Sequence, residues 1–327
     1  MERRILILTD GKAGHENQSK AFARALGCAY DVEEVHFRGP FRKALSYLLD
    51  HAGVHAPALF DRAGEILRRA AAADAPYAAV LGTGSGTFYA AKTLARRLGA
   101  KCGVVLYPRG YRVATFDCVL APAFDRPPAA PNVVEIPANL VAADAAFYAA
   151  GTEAFRARHD PARDAVAVIV GGPNKCSTMS ADWMREQLTR VFAENEHPAY
   201  AHENGPEGAG PAPEFWVTTS RRTPADVEAV VDDFPFDYKL LYSKDHFNPI
   251  PAFVSLAKVL YVTAESTGML SEACTFGTAE VRVLDNLNPG PHKFRRFAES
   301  CAKLGAEKID LAGPFAAAKA LLFPAGL

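Results

Sequence analysis

The sequence of 327 residues contains no apolar run close to the roughly 18 to 20 residues of a membrane-spanning helix. Near its start only residues 5–8 are continuously apolar, whereas a secretory signal needs about 7 to 15 such residues. The six cysteines are scattered and form no Cys-x-x-Cys pair, so neither a disulfide framework nor a cysteine zinc site is predicted. We therefore expect a cytoplasmic protein with reduced thiols.

A large excess of charge of either sign is also missing. The chain carries 36 basic and 37 acidic side chains, which leave a net charge of -1. This balance excludes a broadly cationic nucleic-acid-binding protein, and no nucleic-acid partner is predicted. The 49% of apolar residues excludes intrinsic disorder, and the length predicts two domains of roughly 150 residues each.

Short apolar runs alternate with segments of helical spacing along the chain, which predicts parallel sheets covered by helices. The predicted strands are 4–10, 32–37, 79–84, 103–107, 117–121, 132–136, 165–170, 215–219, 259–263 and 281–284. The predicted helices are 15–26, 41–49, 85–98, 142–158, 180–194, one opening at 223–226, 268–275 and 314–323. Residues 197–213, rich in proline, glycine and acidic residues, are predicted to be a surface excursion. The pattern indicates two Rossmann-like domains, with 142–158 as the connector.

The loop after the first predicted strand concentrates polar and small residues. In open α/β sheets, ligands bind at the carboxyl ends of strands, beside helix N-termini. A histidine there can act as a general base on a hydroxyl, although a histidine that only caps the helix fits the pattern too. The candidate residues of this loop are Asp10, Gly11, Lys12, Gly14, His15, Asn17 and Gln18.

A glycine-rich loop follows the third predicted strand, with Gly82, Gly84 and Ser85 as its candidate residues. It lacks the G-x-G-x-x-G spacing and the position of a dinucleotide fingerprint, so it indicates NAD binding only weakly. Its backbone is a candidate cradle for an anion or a sugar.

Two loops of the second half carry basic residues after predicted strands. Their candidate residues are Gly171, Gly172, Asn174, Lys175, Ser220, Arg221 and Arg222. Cations at a helix N-terminus oppose the helix dipole, which favours a bound anion such as phosphate over a solvated arginine pair.

A fourth loop, between a predicted strand and the start of a predicted helix, carries hydroxyl and carboxylate side chains. Its candidate residues are Glu265, Ser266, Met269, Ser271 and Glu272. Glu272 can accept hydrogen bonds from a ribose diol. Compensation of the helix dipole in the first turn is the alternative role.

His51 and His55 have the i, i+4 spacing of metal ligands, but no nearby residue completes a set, so no metal site is predicted. Arg38, Arg42 and Lys43 lie among apolar residues in a segment typical of either an ordinary amphipathic helix or peripheral contact with an anionic membrane surface.

These loops together resemble the bacterial relatives of the plant mitochondrial-fission (elongated mitochondria) family, a group of glycosyltransferase-like proteins. The matching stretches are 9–18, 170–173, 217–224, 262–266 and 269–273. The resemblance implies a GT-B-like α/β fold, with two Rossmann-like domains facing across a cleft. The expected parts are an acceptor domain at 1–150, a nucleotide-sugar donor domain at 151–312, and a helix at 313–327 that returns to the first domain.

The resemblance also implies residue roles. His15 becomes the candidate base, with Glu265 as a second catalytic candidate. Gly171, Gly172, Arg221 and Arg222 would hold a diphosphate, and Glu272 a ribose. Two departures concern the sugar side: Glu265 stands where an aspartate is usual, and 275–278 replaces a common Gly-Lys-Pro.

The leading hypothesis is a metal-independent, inverting glycosyltransferase that moves a sugar from a nucleotide-diphosphate donor to an envelope or lipid-linked acceptor. The donor is a co-substrate, and no cofactor is expected. No Asp-x-Asp motif stands at a strand end, in agreement with charge stabilisation by arginine. The alternatives are a nucleotide-sugar epimerase, with His15 and Glu265 as acid and base, and a non-enzymatic adaptor. Contact with the membrane inner face is a further expectation.

Overall fold

The computed structural model describes residues 3–73, 75–196 and 212–324. Its contacts divide the chain into two units, Met1–Ala142 with Asp310–Leu327, and Ala143–Ile309. The predicted surface excursion lies outside the described residues, apart from 212 and 213.

The first unit contains a six-stranded, all-parallel sheet in the order β2-β1-β3-β4-β5-β6. Its strands are β1 Arg4–Thr9, β2 Ala29–Glu34, β3 Ala79–Thr83, β4 Lys101–Val105, β5 Cys118–Pro122 and β6 Val133–Ile136. Its first four helices are α1 Ala13–Ala25, α2 Pro40–His51, α3 Ala63–Ala71 and α4 Phe88–Leu98.

Both faces of this sheet are buried, which explains the continuous apolar run of β1. Leu6 and Leu8 pack into a core with residues of α3 and α4, whereas Ile5 and Ile7 pack into a separate core with Phe22 of α1. Alternate side chains of a strand point to opposite faces of the sheet. The two sets of β1 side chains therefore pack against different helices, one set on each face.

The second unit has a five-stranded parallel sheet in the order β11-β10-β7-β8-β9. Its elements are α5 Ala145–Arg156, β7 Ala165–Ile169, α6 Ala181–Glu194, β8 Glu214–Thr218, α7 Ala225–Asp233, β9 Tyr238–Leu240, α8 Ile250–Leu256, β10 Ala257–Thr263, α9 Thr267–Thr275, β11 Glu280–Leu284 and α10 Lys293–Leu304. Ser180 caps α6 as predicted, because its hydroxyl accepts the N–H of Trp183 at 3.2 Å.

The last helix, α11 (Ala312–Leu322), contacts β4, β5 and β6 of the first sheet. Its Ala318 and Leu322 are buried in the same core as Phe22. The expected boundary at 150 falls inside α5, whereas the whole helix groups with the second unit through its contacts with α8.

The strand predictions hold for ten of the strands within a few residues, with the largest shift at β2, predicted at 32–37. Helices α3, α8 and α10 and strand β9 were not predicted. The six cysteines all lie among the described residues, and none of them forms a disulfide bond there.

Candidate functional site

In the first unit, the loops after β1 and β3 meet at one edge of the sheet. The two strands are parallel neighbours, so their carboxyl ends lie side by side. The imidazole Nδ1 of His15, in the first turn of α1, lies 3.0 Å from Oδ1 of Asp10. The same ring packs over Gly84, where an added Cβ would lie 2.3 Å from Cε1 of His15.

Asp10 determines which nitrogen of His15 carries a proton. Burial opposes its ionisation, but hydrogen bonds and charges from Lys12 and His15 outweigh this effect and lower the pKa of the Asp10 carboxyl. An ionised carboxylate can only accept, so Nδ1 of His15 must donate to it. In the neutral imidazole, Nε2 then keeps its lone pair, as a general base requires.

The glycines of the β3 loop make room for side chains. A Cβ on Gly82 would lie 2.8 Å from the hydroxyl of Thr87, and one on Gly86 would lie 2.8 Å from Cβ of Asp10. His15 lies over Gly84 and Asp10 over Gly86, so side chains of the protein occupy part of the candidate cradle. The loop's glycines instead hold Asp10 and His15 close to the backbone.

The other predicted residues of this edge are more exposed. Gly11 has φ +78°, Lys12 pairs with Asp10 at 2.7 Å, and Ser85 accepts the Lys43 ammonium at 2.8 Å. Gly14 and Asn17 are exposed on α1. Oε1 of Gln18 is buried and has no hydrogen-bond partner among the described residues.

In the second unit, the loop after β7 is tied to the loop after β10. The Gly171 N–H donates to Oγ1 of Thr263 at 2.9 Å, and the Gly172 N–H donates to Oε1 of Glu265 at 2.6 Å. A Cβ on Gly172 would lie 2.2 Å from the carbonyl oxygen of Arg222. Only glycine fits there, because the obstacle is backbone of the β8 loop.

Glu265 is a buried positioning group, with 2% of its surface exposed. Burial raises its pKa, although hydrogen bonds and the amide of Asn286 oppose the shift. Its Oε1 holds the Gly172 N–H, while Oε2 has no hydrogen-bond partner in the described part of the chain. The hydrogen bond to Gly172 gives Glu265 a role in holding the β7 loop, and the acid–base role suggested by the sequence stays a prediction.

A cavity of about 290 Å³ opens beside the end of β8. Its walls include Ser220, Arg221 and Arg222, together with Met269 of α9. Both arginines are exposed, and neither guanidinium forms an ion pair with any residue in the described ranges. Two uncompensated cations at a strand end make this cavity suited to an anion.

Another part of the cavity wall comes from the segment after β9, which was not predicted from the sequence. It contributes Tyr242, His246, Phe247, Asn248, Pro249 and Ile250. The rings of Tyr242 and His246 lie 4.5 Å apart at 35°. The sequence signal that could have indicated this part of the wall is the cluster of aromatic, histidine and asparagine residues at 242–248.

This wall is fixed to the arginine loop by Glu228. Its carboxylate accepts the hydroxyl of Thr219, and the Tyr242 N–H donates to the same hydroxyl at 2.7 Å. Burial opposes ionisation, but hydrogen bonds led by Ser243 and Thr219 lower the pKa of Glu228. These hydrogen bonds connect the two loops that line the cavity.

In α9, Glu272 lies in the second turn, so the expected dipole compensation in the first turn does not occur. Its Oε1 accepts the hydroxyl of Tyr148 at 2.9 Å, and burial raises the pKa of the Glu272 carboxyl. Ser271 is fully buried and donates to the Thr267 carbonyl at 2.6 Å. Ser266 is the N-cap of the helix and forms no capping hydrogen bond through its side chain.

Asn174 closes the β7 loop on itself, because its Oδ1 accepts the Cys176 N–H at 2.7 Å. Lys175 beside it is exposed. Across residues 3–73, 75–196 and 212–324, no group of three His, Cys, Asp or Glu side chains is placed to hold a metal ion. The helices in these ranges all fall short of the length and apolarity needed to cross a membrane.

A sequence profile described as mitochondrial fission ELM1 matches residues 13–310. The chain belongs to this family. The match confirms the resemblance predicted from the loops, and it extends through both units. No curated protein sequence gave a significant match.

Solved structures with low sequence identity align with nearly the whole chain. A putative UDP-N-acetylglucosamine 2-epimerase from Listeria monocytogenes aligns with a TM-score of 0.54 at 11% identity, covering 98% of this chain and 88% of that one. MurG from Acinetobacter baumannii aligns with a TM-score of 0.49 at 15% identity, with coverages of 98% and 92%. The likeness to the Listeria protein confirms the predicted GT-B-like fold class of two parallel-sheet α/β units.

Proposed function

We propose that this protein is a glycosyltransferase whose second unit binds a nucleoside-diphosphate sugar. The observation that carries the proposal is the cavity beside β8, which both Arg221 and aromatic side chains after β9 line. Arg221 and its neighbour Arg222 have no carboxylate partner in the described part of the chain. Guanidinium groups bind diphosphate oxygens in bidentate fashion, and the ring of a base stacks on aromatic side chains. The arginines therefore suit the diphosphate, and the aromatic side chains suit the base.

Glu272 supports a nucleoside ligand. Burial of this carboxylate raises its pKa and lowers the stability of the folded protein. A group kept at such a cost in stability favours a role in ligand binding. Its Oε1 already accepts from Tyr148, which fixes the orientation of the carboxyl group. The family resemblance assigns this glutamate to the ribose, whose two hydroxyls are hydrogen-bond donors.

The chemical step is a single displacement at the anomeric carbon. The acceptor hydroxyl transfers its proton to Nε2 of His15 as its oxygen bonds to the sugar. The bond from the anomeric carbon to the diphosphate oxygen breaks, and the diphosphate leaves with that electron pair. Arg221, Arg222 and Lys175 stabilise the charge that develops on the leaving group. One displacement inverts the configuration at the carbon.

The acceptor in this proposal is an envelope or lipid-linked molecule, met at the membrane inner face. Helix α2 presents Phe41, Leu45 and Leu48 on one side, with exposed fractions of 89%, 41% and 71%. Arg38, Arg42 and Lys43 flank these residues, and none forms an ion pair with a carboxylate in the described ranges. This basic and apolar surface, called the α2 face below, suits an anionic lipid bilayer.

The α2 face lies next to the candidate acceptor loop. The Lys43 ammonium donates to Ser85, which follows the Gly84 that packs against His15. A lipid-linked hydroxyl held at the α2 face would therefore approach the base.

The test is release of nucleoside diphosphate from a panel of nucleotide sugars, measured with and without a lipid extract of bacterial membranes. The proposal predicts release that depends on the extract and falls in His15→Ala. Interconversion of the nucleotide sugars without extract would instead indicate an epimerase. No turnover of any donor would favour the adaptor.

A further inference from the structure

A second polar cavity lies in the first unit, at the edge of the sheet opposite to His15. It has a volume of about 320 Å³ and reaches the amino-terminal ends of β4 and β5, where Cys102 and Asp117 line it. Because the strands are parallel, this edge is remote from the carboxyl ends that carry Asp10 and His15. The cavity is therefore separate from the candidate acceptor loop.

Three cations line this cavity: Lys92 and Arg96 of α4, and Arg112 of the β4–β5 loop. Lys92 is buried and pairs with Asp50, whose other oxygen accepts the Arg112 backbone N–H at 2.7 Å. The guanidinium groups of Arg96 and Arg112 have no carboxylate partner in residues 3–73, 75–196 and 212–324.

The acidic group in the cavity wall is already neutralised. Asp117 accepts the Lys101 ammonium at 2.9 Å and the Cys102 N–H at 2.8 Å. The wall therefore carries a surplus of positive charge, although the whole chain is nearly neutral. Such a local surplus in a concave polar site attracts anions.

His55, in the same wall, responds to this surplus. Burial and the charges of Arg96 and Lys92 lower the pKa of its imidazole, against the weaker opposing charge of Asp50. Its Nδ1 is buried and has no hydrogen-bond partner among the described residues. An oxyanion in the cavity would relieve the repulsion and could accept a hydrogen bond from the ring.

We propose that this cavity binds a small phosphate-bearing anion through Arg96, Arg112 and His55. Phosphate is favoured because the two arginines without a carboxylate partner line the same cavity, and guanidinium groups match phosphate oxygens in bidentate geometry. The volume, at the lower end of small-molecule sites, suits a diphosphate or a small phosphate ester. This ligand is separate from the nucleotide assigned to the second unit.

The probe for the test is inorganic pyrophosphate, titrated at constant ionic strength into the full chain with ¹³C-labelled histidine. The proposal predicts a saturable shift of the His55 Cε1 resonance, which His55→Asn identifies. Arg96→Gln and Arg112→Gln are each expected to weaken this titration by about tenfold or more, as loss of a charge-assisted hydrogen bond does. Both arginines are exposed, so the variants should fold.

Arg97→Gln is the matched control, since it removes the same charge from the neighbouring exposed position of α4, outside the cavity. It should leave the His55 titration unchanged, and so should Arg221→Gln in the second unit. An unperturbed His55 resonance at millimolar pyrophosphate would overturn the proposal. Equal weakening of pyrophosphate binding by Arg96→Gln and Arg97→Gln would also overturn the proposal. That result would indicate attraction by the overall positive charge instead of binding in the cavity.

Discussion

Nδ1 of His15 lies 3.0 Å from Oδ1 of Asp10, and the imidazole covers the backbone at Gly84. This relationship joins two loops that lie about 70 residues apart in sequence and belong to neighbouring strands. The hydrogen bond to Asp10 holds the imidazole in one tautomer and one orientation. A general base needs both, because its accepting nitrogen must be unprotonated and correctly placed.

In the proposed mechanism, removal of the His15 imidazole is expected to slow sugar transfer without weakening donor binding. His15→Ala should lower kcat by about 10²- to 10⁴-fold, the usual contribution of general-base catalysis, at unchanged donor affinity. His51→Ala, at an exposed position of α2, is the control. Steady-state kinetics and donor titration give both quantities, and unchanged kcat in His15→Ala would remove the histidine from the mechanism.

Gly172→Ala should destabilise the second unit and weaken nucleotide binding together. The new methyl group would lie 2.2 Å from the Arg222 carbonyl oxygen, so the β7 and β8 loops must separate. Overpacking of this kind costs about 1 to 3 kcal/mol. Gly268→Ala is the control for stability, since nothing lies within 4 Å of its added Cβ. Equal melting temperatures for the two variants would contradict the close approach.

Glu272→Gln should stabilise the folded protein at neutral pH. The folded pKa of Glu272 is raised above the usual 4.5, so the wild type loses stability as pH rises through this window. The difference in free energy of unfolding between the variant and the wild type should therefore grow from about pH 4 upward and level off above the folded pKa. Urea unfolding across this pH range measures this difference.

The same variant should bind nucleotide about tenfold more weakly, because hydrogen bonds to a carboxylate are stronger than those to an amide. Glu299→Gln, at an exposed position of α10, is the control and should change neither the stability nor the nucleotide affinity. A Glu272→Gln protein that is less stable at neutral pH would show that the carboxylate has a structural role.

Phe41→Ser with Leu48→Ser should abolish binding to vesicles that contain anionic lipid. Burial of each large apolar side chain contributes about 1.5 to 3 kcal/mol, so loss of two should exceed a tenfold change. Phe147→Ser, an exposed phenylalanine on α5, is the control. Vesicle sedimentation is the measurement, and a wild-type protein that does not sediment would refute membrane contact through the α2 face.

The strands were predictable because parallel strands buried on both faces appear as continuous apolar runs, as in β1 and β7. Strand β9 is only three residues long, and α8 only seven, so neither gives a periodic signal. In α10 the first turn carries no acidic residue, which hides its start.

The site could be predicted only as far as residue types and loop positions allow. His15, Arg221 and Arg222 follow strand ends and occupy the expected edges. Burial of Glu265 depends on the approach of the β7 loop, a tertiary contact without any sequence signal. Tyr242 and His246 were missed because the strand before them is so short.

Binding of nucleoside diphosphates is the most direct test of the donor site proposed for the second unit. We would titrate UDP, GDP, ADP and CMP into the wild type, Arg221→Gln and Arg185→Gln by calorimetry, with Arg185 as an exposed arginine of α6. The account predicts selective binding of one nucleoside diphosphate, weakened about 10- to 100-fold by Arg221→Gln and unchanged by Arg185→Gln. Absence of binding, or equal affinities in all three proteins, would contradict it.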